Sequence, residues 1–166
     1  MIAFNKGKAW MFGDNISTDL IVPGRLSHLR SNLPELAKHV LEDADPTFAQ
    51  KVQVGDYVVA GENFGTGSSR EHAAHVIKLA GIKAVIAKSF ARIYYRNASN
   101  IGLWLITADT ETIKTGDTIE IDLKGSRIIV NGTDSILCHI PDGILLNILL
   151  DGGLIPHLQK NGGFAL

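Results

Sequence analysis

The chain has 166 residues, 45% of them hydrophobic and 20% charged, with a formal net charge of -1. That is enough for a globular domain with its own core and excludes disorder as the organising state, and the lack of a long basic run argues against nucleic acid as the main partner. Cys138 is the only cysteine, so an intrachain disulfide is excluded and this chain alone cannot anchor an iron–sulfur cluster; the six histidines show no metal-ligand spacing.

In chain order, the opening residues MIAFNKGKAW lack a signal-peptide layout, and no apolar run approaches transmembrane length, so a cytoplasmic setting is the expectation. Residues 2–12 contain the apolar run Ala9-Trp10-Met11-Phe12, which reads as a strand and ends in the turn group Gly13-Asp14-Asn15. Residues 33–43 read as a helix, with Pro34 in its first turn and Leu36, Val40 and Leu41 on one face. A further helical turn is expected over 46–52. Gly55-Asp56 turns the chain into the strand Tyr57-Val58-Val59-Ala60.

The next helix is predicted over 69–80, with Ser68 as N-cap and Glu71 completing a capping box. Ala73, Val76, Ile77 and Ala80 form its apolar stripe, and Gly81 stops it. Ala84-Val85-Ile86-Ala87 reads as a buried strand and 90–97 as helical. Strands are expected over 103–106, 118–122 and 127–130, and Asn131-Gly132 is a hairpin turn. Residues 144–150 and 154–158 read as helices. Gly152-Gly153 and Gly162-Gly163 flank the second, so the tail is expected to be mobile or to dock elsewhere. The whole is an α/β alternation with mixed strands and a glycine loop feeding a helix, over a single domain spanning 1–166.

The chemistry concentrates in GENFGTGSSREH, residues 61–72. A strand, a glycine loop and a helix in succession place an anion at free amides and the positive end of a helix. A phosphate loop would need Gly-Lys-Ser/Thr, but Gly67 is followed by Ser68-Ser69-Arg70; Gly61, Gly65 and Gly67 do not have dinucleotide-fingerprint spacing either. No Gly-x-Ser-x-Gly elbow is present, and His72 shares a helix with Ser69 instead of facing it, which disfavours a serine hydrolase. The bland reading has Ser68 capping, Glu71 reciprocating and Arg70 in a surface ion pair. It leaves the second serine, the arginine and the glycines together unexplained.

GENFGTGSSREHAA, preceded by GDNISTDLIVPGR and followed by IAKSFARIYYRNASNIGL, resembles the small subunit of the aconitase-type hydro-lyases, whose swivel domain carries this Gly-x-Gly-Ser-Ser-Arg-Glu-His run. The three blocks stand in family order over residues 13–102. The resemblance implies a swivelling β/β/α domain, a mixed sheet with flanking helices. It also implies a hydro-lyase that removes and re-adds water on a malate derivative, working with a large iron–sulfur subunit. The 4Fe–4S cluster is then expected on that partner, and this chain alone is expected to bind none and to be inactive. Isopropylmalate is the first expected substrate, with homoaconitate and dimethylmalate as alternatives. A reading of another class is a non-catalytic anion-binding regulatory module.

By the same resemblance Ser69 matches the catalytic base, which as an alkoxide takes a carbon-bound proton next to a carboxylate. A helix N-terminus and Arg70 would stabilise that anion. Arg70 matches the arginine that grips a substrate carboxylate with its planar fork. Ser68 matches a neighbouring substrate-binding serine. Thr18 and Asp19, in Ser17-Thr18-Asp19, match an element that supports the site. Arg30 stands where another substrate-binding arginine is expected; its bland reading is a solvated loop charge. Gly65, Gly67, Lys88, Ser89 and Arg92 are expected to shape the site, and His39, His72 and His75 to be ordinary helix residues. Thr66 departs from the cysteine expected there in many relatives, without threat to the chemistry. Residues 26–30 are expected to select the substrate's third substituent, and their mixture of Leu26, Leu29, His28 and Arg30 leaves that choice open.

Overall fold

The computed structural model describes residues 3–163. Strand β1 (Ala3–Met11) is long enough to serve two partners. Its first part pairs antiparallel with β5 (Thr118–Asp122), and its last residues pair parallel with β2 (Tyr57–Val59). β2, β3 (Ala84–Ala87) and β4 (Trp104–Ala108) continue in parallel. The ring then returns antiparallel through β7 (Asp134–His139) and β6 (Arg127–Val130) to β5. The expected mixed sheet is therefore a closed seven-stranded barrel, which leaves no free edge. At Gly7, where the β1–β5 register slips, an added Cβ would stand 2.0 Å from the Gly55 carbonyl oxygen, so only glycine lets the two turns touch.

The residue pattern explains the layers. On β2 to β4 every second residue points into the barrel: Tyr57 and Val59, Ala84 and Ile86, Trp104 and Ile106 share one core with Phe4, Ile119, Ile121, Ile128 and Val130. The intervening Val58, Val85 and Leu105 belong to a second core under the helices. These strands are buried on both faces and so read as unbroken apolar runs. On β5 the burial alternates, with Ile119 and Ile121 inside and Glu120 and Asp122 partly exposed, because that half of the barrel faces solvent.

The helical layer consists of α1 (Thr18–Ile21), α2 (Leu33–Ala37), α3 (Phe48–Lys51), α4 (His72–Leu79) and α5 (Arg92–Asn100), with a 3-10 turn at Gly24–Leu29. Helix α6 (Gly143–Leu150) sets Leu149 against the barrel core, and α7 (Leu154–Asn161) packs on α5 and α6. The second glycine-flanked helix thus docks, and Gly162 ends it in a left-handed conformation. Residues 1–2 and 164–166, which include the start of the first predicted strand and the end of the tail, lie outside the described residues.

Two expectations need correction, and one strand was not foreseen. The helix predicted over 69–80 begins only at His72, with Glu71 at its N-cap and no side-chain cap, so Ser68 and Glu71 form no capping box. The helix predicted over 33–43 stops as a helix at Ala37, and Leu41 turns left-handed so that its amide reaches the Ile21 carbonyl at 3.0 Å. Strand β7, the return arm of the Asn131-Gly132 hairpin, has half-exposed residues and no apolar run to announce it.

The fully buried Thr110, just after β4, donates its hydroxyl to the Ala60 carbonyl at 2.7 Å and so ties down the end of β2. Thr110→Val keeps the shape but leaves that acceptor without its partner. Loss of about 1–2 kcal/mol of unfolding free energy is the expected result in a urea titration.

Candidate active site

The carboxyl ends of β1 to β4 point to one pole, where ligands of parallel sheets generally bind. Three loops meet there through backbone bonds. The Gly65 amide donates to the Ile16 carbonyl at 2.7 Å and the Thr18 amide to the Thr66 carbonyl at 2.8 Å, which stitches the glycine loop to the segment after β1. On its other side the Asn63 amide donates to Ser89 Oγ at 2.7 Å, and the Phe64 amide to the Ser89 carbonyl at 3.1 Å. The loop is therefore held from both flanks. Thr66 contributes its backbone to this stitching.

This stitching also explains the shortened helix. With Gly67 at φ +104° and Thr66 tied to Thr18, the chain reaches Ser68 in a non-helical conformation. The Ser68 hydroxyl, not needed as a cap, lies 3.3 Å from Thr18 Oγ1. Arg70 Nη1 sits 2.7 Å from Asp19 Oδ1 and donates to the Val22 carbonyl at 3.2 Å. Ser68, Arg70, Thr18 and Asp19 are thus brought together. Ser68 and Ser69 are exposed, Gly67 lies beside the Thr18 hydroxyl, and α4 starts three residues after Ser69, its positive end toward the loop.

The remaining expected residues are spread around this centre. Arg30 closes the 3-10 turn, is exposed, and lies near enough to His72 for its charge to matter. Burial first, then Arg70, Arg30 and His75, hold His72 below the usual histidine range, so it is neutral near pH 7. Lys88 pairs with Glu111, which keeps its ammonium charged and directs it along the rim. Arg92 is exposed at the first turn of α5. Among the described residues no side-chain hydrogen bond joins Lys88 or Arg92 to the serines. Arg25, by contrast, is held by Asp43 at 2.9 Å and Glu42 at 2.5 Å, so it anchors the 3-10 turn and does not face the site as a free charge.

Two contributors escaped the sequence reading. Asp14, read only as a turn residue, accepts the Glu62 amide at 2.7 Å and fixes the entry to the glycine loop. Tyr94 lies fully buried beneath Gly65 and reaches the Ala73 carbonyl with its hydroxyl at 3.4 Å, linking loop and α4. Its block was visible in the sequence; its direction was not.

The donors needed for an iron–sulfur cluster are not gathered here. Such a cluster takes several thiolates, whereas Cys138 is a single half-buried thiol on β7, pushed up to about 11 by burial and Asp122. Among the described residues no group of three or more His, Cys, Asp or Glu could hold a metal ion. This chain's residues do not fit the cluster, and none of its chemistry runs through one here.

The parallel end of the barrel thus presents an exposed serine pair beside an arginine that holds the carboxylate of Asp19. The Aconitase C-terminal domain family matches residues 21–111. The 3-isopropylmalate dehydratase small subunit 2 of Archaeoglobus fulgidus is 58% identical over 163 residues, covering 96% of this chain and 98% of that one. The methanogen homoaconitase small subunit of Methanocaldococcus jannaschii is 53% identical over 157 residues, covering 93% and 91%. A crystal structure of 3-isopropylmalate dehydratase from the same organism superposes with a TM-score of 0.91 at 50% identity, over 97% of this chain and 96% of that one. The chain belongs to the aconitase C-terminal domain family.

Proposed function

We propose that the chain, as a single swivel domain, is the small subunit of a heteromeric 3-isopropylmalate dehydratase. It interconverts 2- and 3-isopropylmalate by dehydration and rehydration in leucine biosynthesis, in the cytoplasm, with a large subunit that carries the 4Fe–4S cluster. One observation carries this reading. Arg70 already holds a carboxylate, that of Asp19, at 2.7 Å, while the neighbouring Ser69 is exposed. A substrate carboxylate that replaces Asp19 on the guanidinium brings its α-carbon to the Ser69 hydroxyl. Ser69 takes the proton from that carbon, the substrate hydroxyl leaves, and water re-adds with the positions exchanged. Ser68, already near Thr18 Oγ1, supplies a further hydrogen bond to the substrate, and Arg30 faces its third substituent.

Relatives named 3-isopropylmalate dehydratase small subunit at 58% and 54% identity support the substrate choice. Homoaconitate is the second reading: the exposed Arg30 suits an extra carboxylate, and two relatives named methanogen homoaconitase small subunit stand at 53% and 49%. The test is an anaerobic assay of this chain with the large subunit from the same source, offered isopropylmalate, homoaconitate, dimethylmalate and citrate in parallel. Turnover of isopropylmalate above the others is expected. Preference for homoaconitate moves the assignment to the second reading, and no turnover by an intact complex leaves an anion-binding module.

Arg70→Lys should retain a charge but lose the two-pronged contact. A fall in kcat/KM of about 10- to 100-fold, carried largely by KM, is expected in the same assay. An unchanged KM would mean that Arg70 does not hold the substrate.

A further inference from the structure

The opposite pole, where the parallel strands begin, holds an open cleft of about 760 Å³. Its apolar lining pairs the exposed Val54 and Leu150 with the edges of Phe4, Leu103, Trp104 and Leu149, which are at most 7% exposed. The charged residues that line it are all cationic, namely Lys6, Lys78 and Lys83. Among the described residues none of the three forms an ion pair, whereas Lys38, Lys88 and Lys160 do.

Lys78 has a structural task. Its ammonium donates to the Ile101 carbonyl at 2.5 Å and faces the Gly152 carbonyl at 3.5 Å, and burial holds its pKa below the ordinary lysine value. It thereby caps the end of α5. Lys83 stands 4.6 Å over the Phe4 ring, with Lys6 exposed on the same rim. Helices α4, α5 and α6 all end at this pole, and each brings about half a negative charge. The lysine charges outweigh them, and among the described residues Lys6 and Lys83 form no ion pair.

We propose that this cleft is a second binding site, separate from the serine–arginine site, for a small carboxylate with an apolar tail of several carbons. The tail lies between the exposed Val54 and Leu150, over the edge of Trp104, and the carboxylate meets Lys83 and Lys6. The volume is that of small-molecule sites, which run to about 300–1,000 Å³ and are mostly apolar with a few placed polar groups. The charge of the rim selects an anion, and the apolar lining rejects a tailless one. The site stands whichever substrate the other pole takes.

The test is an amide and indole NMR titration of the full chain with hexanoate, alongside hexanol and acetate. Saturable shifts at Trp104, Lys83 and Gly102, with none at Gly65 or Ser69, are expected for hexanoate, and binding at least about fivefold weaker for each control. The exposed-residue variant Lys6→Gln/Lys83→Gln, checked for an unchanged fold by circular dichroism, should weaken hexanoate by at least about fivefold. Shifts confined to the Ser69 pole, or binding indifferent to the double substitution, overturn the proposal. So does a result in which hexanoate fails to bind while the large subunit moves these signals, since the cleft would then be a docking face.

Discussion

Ser69→Ala, assembled with the large subunit, should lose about 10²- to 10⁴-fold in kcat, the range a positioned general base supplies, while KM stays within a few-fold of the parent. The split follows from the geometry. The proposed binding residues are Arg70, whose contacts to Asp19 and the Val22 carbonyl do not involve Ser69, and Ser68, whose partner is Thr18. Ser69 is exposed and sits outside α4, so its hydroxyl supports no packing. Unfolding free energy should therefore stay within about 0.5 kcal/mol. Complex formation, followed by sedimentation, should be unaltered. A variant turning over at near-parent rates would remove Ser69 from the chemistry and leave a pole that binds carboxylates without transforming them.

The largest stability effect is expected at Gly65. Its φ is +84°, and a Cβ there would stand 2.2 Å from Tyr94 Cγ. The left-handed backbone alone costs an L-residue about 1–2 kcal/mol. The overlap adds more, because Tyr94 cannot retreat: it is packed edge-on to Phe64 at 5.4 Å, fully buried, and linked to the Ala73 carbonyl. Gly65→Ala should lower unfolding stability by about 3–5 kcal/mol, a large part of the 5–15 kcal/mol of a typical domain. Chemical denaturation measures it directly. A loss under about 1 kcal/mol would show that loop and tyrosine yield together, and the site would then not rest on this contact.

The sequence made the parallel half of the barrel legible because strands buried on both faces must be apolar throughout, as in Val58-Val59-Ala60 and Ala84 to Ala87. Closure was not legible. It depends on β1 changing partners along its length and on β7, whose burial is too slight to leave a pattern. The start of α4 was misplaced for a related reason. Ser68 and Glu71 have the spacing of a capping box, but local preference lost to long-range pairing of Thr66 with Ser17 and Thr18. The residue types of the site were readable from one segment and its resemblance. What the sequence could not supply was the contact of Arg70 with Asp19, two loops away, or the tyrosine beneath the glycine.

The 3-10 turn at Gly24–Leu29 contains no buried residue, and Arg25 fastens it to Glu42 and Asp43 from outside the core. Leu26 and Leu29 rest partly buried against the core under the helices, but Ser27 and His28 are exposed, and single changes at those two usually stay within about 0.5 kcal/mol. Folding places little constraint on Ser27 and His28, whereas Gly65 in the neighbouring loop admits no side chain without displacing Tyr94. On the proposed reading, in which this turn faces the substrate's third substituent, a lineage changes its diet by mutations at Ser27 and His28 without first acquiring spare stability.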